Sequence, residues 1–310
     1  MKDNKILATA VAAIFGASVA TADISLSDNL TLSGFVDASY SNSDDGATSN
    51  ESIGLDQVEV DFAFSGESVS AEVHLDSLGG ADNIRLEQAF VNYDLGNGVT
   101  VSGGKMLNLL GFESDEATGR YQSSYAYAFG TAAVTSGETG RRYAEGLRAS
   151  FGVEDVAIAV SGYNGLYSNA ADDMDLAYDA QVVFSGVENL TVALGYAEDE
   201  NSASIAEAVN VWASYESGQV MIAGEYNDVT DGAGNEGDSY LLLANYQIND
   251  NASISVRYSE LDLAGSTLEK FSIAPIYNFT DNLSAFVEYS TGEVDGTDND
   301  SFAIETVFTF

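Results

Sequence analysis

The chain of 310 residues carries ten Lys+Arg against forty-nine Asp+Glu, one His, one Pro and no Cys, a formal net charge of −39. Phosphate contacts need a basic face, so nucleic acid is excluded as a partner, and thiolate chemistry, disulfides and N/S-ligated zinc fail for want of converging Cys and His. Seventeen Tyr, fifteen Phe and 45% hydrophobic residues exclude disorder, and thirty Gly beside a single Pro favour a β-rich chain with tight turns.

Residues 1–22 open with Lys2 and Lys5, run apolar from Ile6 to Val19 and end in Ala20-Thr21-Ala22. This pattern predicts a secretory signal peptide cleaved before Asp23, leaving residues 23–310 as one exported domain. A retained helical anchor is the rival reading, but a bilayer-spanning helix takes ~20 apolar residues and the run is shorter. Removal of the segment takes away Lys2, Lys5 and Asp3 and leaves eight basic and forty-eight acidic residues, so the acidity belongs to the exported chain.

From residue 27 onward one unit recurs. A short Asn/Asp/Gly turn leads into an alternating apolar and small-polar run at 27–35, 68–76, 97–105, 153–162, 187–196, 220–226, 249–258 and 280–289. After a polar or acidic loop, a second alternating run returns and ends in aromatics at 58–66, 86–96, 146–152, 179–186, 209–218, 241–249, 273–280 and 304–310. Alternation of period two between turn signals is the signature of a half-buried strand, and ~9–11 tilted residues cross a bilayer. The reading is therefore all-β: a closed antiparallel transmembrane barrel of about sixteen strands, closed because backbone groups in hydrocarbon find no water. Pro275 falls within a strand and predicts a bulge or local irregularity there.

Alternation also assigns faces. Phe302, Ile304, Thr306, Phe308 and Phe310 share one side, opposite Ala303, Glu305, Val307 and Thr309. Val58, Val60, Phe62 and Phe64 likewise stand opposite Gln57, Glu59, Asp61 and Ala63. Charges that alternate with apolar residues suit a wet pore, and parity places Glu59, Asp61, Glu72, His74, Arg257 and Lys270 on its lining. Aromatics beside the short turns, among them Tyr93, Phe151, Tyr215, Tyr246, Tyr277 and Phe308, predict an interface girdle. An acidic lumen concentrates cations, so the expected activity is passive diffusion of ions and small hydrophilic solutes with cation preference.

Signal peptide, sixteen alternating runs, short turns alternating with longer loops and a terminal aromatic together resemble a Gram-negative outer-membrane porin. Residues 104–130 and 146–152 resemble, more narrowly, the OmpL-like β-barrel porin family. The resemblance implies residence in the outer membrane among lipid and lipopolysaccharide, and assembly by the barrel-assembly machinery with Phe310 as the signal it reads. General porins imply a homotrimer, whereas the narrower family leaves the oligomeric state open. No cofactor is implied.

The longest connection, 108–140, lies between the fifth and sixth strands, and the resemblance implies that it folds into the barrel and narrows the pore. Arg120, Arg141, Arg142 and Arg148 sit in or just after it, and Glu113, Asp115 and Glu116 lie on it. Porin constrictions set loop carboxylates against wall arginines, so these seven residues are the expected constriction, with Glu113, Asp115 and Glu116 facing Arg142 and Arg148. The alternative, that the arginines merely neutralise local acids, stays open.

Other classes remain to be weighed. A barrel enzyme of protease or lipase type would use His74 between Glu72 and Asp76. Loops 41–51, 228–238 and 293–300 offer hard oxygen ligands for incidental divalent cations, but none has EF-hand spacing. A soluble, adhesin-like acidic β protein is the last alternative.

Overall fold

The computed structural model describes residues 23–79, 83–129, 132–133, 141–168, 175–263 and 265–310. Sixteen strands form the barrel wall. The first eight are β1 (Leu30–Asp44), β2 (Ser49–Ser65), β3 (Val69–Leu78), β4 (Arg85–Gly96), β5 (Val99–Leu107), β6 (Tyr143–Val153), β7 (Val156–Asn164) and β8 (Leu176–Val187). The second eight are β9 (Leu190–Glu198), β10 (Glu207–Ser217), β11 (Val220–Thr230), β12 (Glu236–Asn249), β13 (Ala252–Leu263), β14 (Ser266–Thr280), β15 (Leu283–Val294) and β16 (Thr297–Thr309). Each pairs antiparallel with its sequence neighbours, and β16 pairs with β1, so no edge is left open. The seam ends in two 3.0 Å bonds between the backbones of Gly34 and Phe310. A four-residue strand, Ile24–Ser27, folds back on the start of β1, and Ala128–Phe129 pairs with Ala132–Ala133 inside the long connection. The signal peptide expected over 1–22 lies outside the described residues.

Turn chemistry explains the short ends. Between β4 and β5 the chain reverses at Asn97-Gly98 with φ of 56° and 78°, the left-handed pair that matches the twist of a two-residue hairpin. Glu154 and Asn189 take φ of 50° and 66° at the equivalent reversals after β6 and β8. Both termini of the barrel wall lie at this turn end.

The alternation appears as burial. Along β16, Phe302, Ile304 and Phe308 are exposed on the outer face while Glu305 and Val307 are buried inside. Phe64, Tyr93, Phe151, Phe184, Tyr215, Tyr246, Tyr277 and Phe308 form the outward belt next to the short turns. A second aromatic belt at the loop end has no counterpart in the sequence reading. Tyr178 and Tyr196 share Glu198, and Tyr240 and Tyr258 share Glu260, with Tyr240 and Tyr258 ring centroids 6.0 Å apart. Among the described residues no helix is long and apolar enough to cross a membrane; the strands are the crossing elements.

At Pro275 the irregularity is a gap in the ladder without a register shift. Pro275 still stands opposite Ile254 on β13, whereas pairing with β15 passes from Ile273↔Tyr289 to Ile276↔Phe286. A residue without an N–H leaves that rung empty. True bulges occur elsewhere, between β1 and β2 at Asp37/Ala38 and between β3 and β4 at His74/Leu75.

Candidate pore constriction

The long connection starts apolar because the wall it first meets is apolar. Small inward residues Ala157, Ala159, Ala193 and Ala208 leave room for Leu109 and Leu110, which are buried with them. A Cβ on Gly195 would lie 2.9 Å from Leu110 Cγ, so any larger residue at this wall position must displace the Leu110 side chain. Phe112 packs on Trp212 at 5.6 Å between ring centroids. Hydrogen bonds fix the backbone as it passes each strand. Leu109 N donates to Asp179 of β8 (2.8 Å), Gly111 N to Asn210 of β10 (3.3 Å) and Phe112 N to Glu225 of β11 (2.8 Å).

The middle of the loop then spans the lumen. Glu116 accepts from Tyr143 of β6 at 3.0 Å and from Gln57 of β2 at 3.5 Å. Burial, with the nearby Asp115 charge adding to it, pushes the Glu116 carboxyl above its ordinary range despite those donors. After the single 3₁₀ turn Ala117–Gly119, Arg120 stands 3.5 Å from Glu305 of β16 and 3.9 Å from Asp37 of β1. The ring of Tyr125 lies 4.8 Å under its guanidinium carbon.

The returning arm is pinned to the far wall. Arg257 of β13 pairs with Glu113 and donates to Ser124 O at 2.9 Å. Lys270 of β14 donates to Tyr125 O at 3.0 Å. Glu288 of β15 accepts from Ser123 Oγ and Ser124 N at 2.8 and 2.9 Å. Ser259 and Ser272 bond Ala126 O and Gln122, respectively. These partners come from distant parts of the chain, so the loop is a packed element of the interior.

The expected arginine pairing is redistributed. Glu113 meets Arg257 rather than Arg142 or Arg148, Asp115 uses its backbone carbonyl to accept from Tyr125 OH at 2.7 Å, and Glu116 meets Tyr143 and Gln57. Arg148 points inward as parity requires, but it is buried against the wall and donates to Leu107 O (2.6 Å), Tyr163 OH (2.8 Å) and Ser161 Oγ (2.9 Å). Arg141 donates to Leu110 O at 2.7 Å; the backbone of Arg142 accepts from Asn108 N and donates to Asn108 Oδ1, and its guanidinium donates to Arg141 O at 3.3 Å. These three arginines hold the root of the loop, where carbonyls would otherwise be left without donors.

Of the expected lining residues, Glu59, Asp61 and Glu72 cluster around His74 at 3.1–3.2 Å. Asp76 instead takes a bidentate pair with Arg85, so His74 contacts Asp61 where the enzyme alternative needed Asp76. Arg257 and Lys270 face inward and are covered by the loop. Glu305, set by parity opposite the aromatics of β16, is buried inside; sequence reasoning omitted Asp37 and Glu288, which parity on β1 and β15 does place inside. It also omitted Glu87, which is the unpaired extra residue of the β4 bulge and breaks the alternation that would have revealed it.

Two cavities lie along the middle of the loop. One of about 290 Å³, toward the loop end, is lined by Asp37, Asp56, Arg120, Ser123, Tyr125 and Glu305. The other, about 600 Å³, opens toward the turns and is lined by Ala117, Thr118, Asn251, Phe286 and Val307.

Comparison with known proteins agrees with this architecture. The family model for Gram-negative porins matches residues 8–297. The chain belongs to the Gram-negative porins and is a protein of the outer membrane. Among solved structures it is similar to an anion-selective porin from Comamonas acidovorans (TM-score 0.68, 15% identity, 91% of this chain and 99% of that one). It is also similar to Salmonella typhi OmpF in complex with daunomycin (TM-score 0.69, 14% identity, covering 93% and 100%). A mutant of the Rh. blastica porin aligns with TM-score 0.64 and 16% identity over 91% and 100% of the two chains. No curated protein matches the chain at a significant level.

Proposed function

We propose that the protein is a passive, water-filled channel for ions and small hydrophilic solutes, preferring cations, with its constriction where the long loop crosses the lumen. The observation that supports this most is the cavity of about 290 Å³ that Arg120, Asp37 and Glu305 line where the loop crosses the lumen, with a second cavity beside Ala117 and Thr118 of the same loop. A solute passing through the first moves beside one guanidinium and two carboxylates in a confined space, where charge acts at close range and is poorly screened. Glu113, Asp115, Glu116, Arg141, Arg142 and Arg148 shape the loop that forms the passage; Glu59, Asp61, Glu72 and His74 line its acidic side.

Cation preference follows from which charges are already neutralised. Arg148, Arg257 and Lys270 are buried in bonds to the loop and the wall, whereas carboxylates on β1, β2, β3 and β16 outnumber Arg120 and His74 along the remaining space. No reaction is catalysed on this reading. Lipid and lipopolysaccharide surround the two aromatic belts, the barrel-assembly machinery recognises Phe310, and the assembly is a homotrimer. The test of the channel is reconstitution in a planar bilayer under a salt gradient: a reversal potential of the sign of cation flow supports the proposal, and one of the opposite sign overturns it.

A further inference from the structure

Three carboxylates converge where the long loop meets the wall of β2 and β4. Glu59 and Glu87 are buried there, 1% and 4% exposed, and Glu116 reaches them from the loop. One oxygen from each lies within 4.8 Å of the others. Ligands on opposite sides of a single Ca²⁺, each at about 2.4 Å, stand about 4.8 Å apart, so the three oxygens fit around one ion.

Local cations do not balance this charge. His74 touches Glu59 at 3.1 Å but is shared with Asp61 and Glu72, both at 3.2 Å. Arg85 is engaged with Asp76 at 2.6 Å and reaches Glu87 Oε1 only at 3.8 Å. The other side chains that donate to these carboxylates, Gln57 and Tyr143, are neutral. A second observation points to a ligand: Glu87 Oε2 is buried and has no hydrogen-bond partner among the described residues. The bulge that makes Glu87 the extra residue between Leu86 and Gln88 thus brings a carboxylate inward and leaves one oxygen without a donor. A buried carboxylate oxygen without a donor is costly unless a cation supplies what is missing.

We propose that Glu59, Glu87 and Glu116 bind one divalent cation of the hard, oxygen-preferring class, Ca²⁺, which ties the loop to the β2–β4 wall. Lumen water completes the six to eight oxygens Ca²⁺ takes; Mg²⁺, which dehydrates reluctantly and uses one or two carboxylates, fits less well. The far side of the loop is held by Arg257, Lys270 and Glu288, whereas on this side like charges would push it away. The cation makes the crossing segment fixed at both ends.

The test is calorimetric titration of CaCl₂, after treatment with a chelator, into the full chain refolded in detergent, compared with Glu87→Gln and Glu116→Gln. Wild type is expected to show one saturable site per chain, roughly tenfold or more tighter than any other component and tighter for Ca²⁺ than for Mg²⁺, with both variants losing that component. Ca²⁺ should raise the temperature of the heat-induced gel shift in wild type and not in the variants. Glu116→Gln lies on the loop rather than in the wall, so it decides the matter if Glu87→Gln does not refold. Wild-type binding indistinguishable from either refolded variant marks adventitious binding to acidic loops and overturns the site, as does a wild-type isotherm with no such component.

Discussion

Arg120 and Arg148 carry the same charge but have different surroundings. Arg120 lines a cavity beside Asp37 and Glu305, so its removal leaves two carboxylates facing the solute. Arg120→Ala is expected to move the reversal potential further toward cation selectivity, while Arg148→Ala leaves selectivity unchanged and loosens the loop root, seen as greater current noise. Equal shifts in the two variants would contradict this division of roles. Inward carboxylates on regular strands, such as Glu59, Asp61 and Glu305, are legible in the sequence because parity alone fixes their side. Partners across the lumen are not: Glu113 meets Arg257, 144 positions away, because the trajectory of the loop is set by alanine-lined space and glycine at 195. Glu87 escapes for a local reason, since one inserted residue reverses the parity on which the reading depends.

At the scale of elements, the long loop is held by buried ion pairs and main-chain bonds rather than by regular structure. Arg257 is 2% exposed, and its replacement by alanine strands Glu113 and removes the donor to Ser124 O. Removing one partner of a buried pair costs roughly 3–5 kcal/mol, so Arg257→Ala should lower the denaturant midpoint of the barrel and release the loop. An unchanged midpoint would show that the pair is dispensable. A shorter loop offers a pH test. Asp199 is penalised by burial, but the N–H groups of Leu166, Tyr167 and Ser168, at 2.8–2.9 Å, outweigh this and hold its carboxyl below its ordinary value of 3.8. A lowered carboxylate pKa contributes stability that is present above the unfolded value and lost as pH falls through the folded one. Hydrogen exchange at those three amides should therefore stay protected from neutral pH down to below 3.8, whereas Asp199→Ala loses protection already at pH 7. Protection in that variant equal to wild type would remove Asp199 from the role. The sixteen wall strands were legible because period two and turn signals repeat in each and terminal aromatics mark the eight returning runs. The strand Ile24–Ser27 was not, because four residues carry too little periodicity, and the loop-end tyrosines were missed because their Glu198 and Glu260 partners look like ordinary loop acids.

For the whole molecule, the net charge of −39 resolves into two populations. Acids of the loop tips keep the outer rim hydrated, and those of the inner wall, from Asp37 through Glu59 and Asp61 to Glu305, face inward, where on the proposed channel function they set the field a solute meets. Most inner cations are committed to holding the loop, so the unbalanced charge of the passage is negative. The chain shares its fold with the anion-selective Comamonas porin at 15% identity, and a fold does not fix function, so the proposed sign of selectivity rests on the lining side chains. The most direct measurement is the zero-current potential of single channels in a planar bilayer with a KCl gradient. Discrete conductance steps with a potential favouring K⁺ are predicted, and the absence of steps, or a potential favouring Cl⁻, would contradict the account.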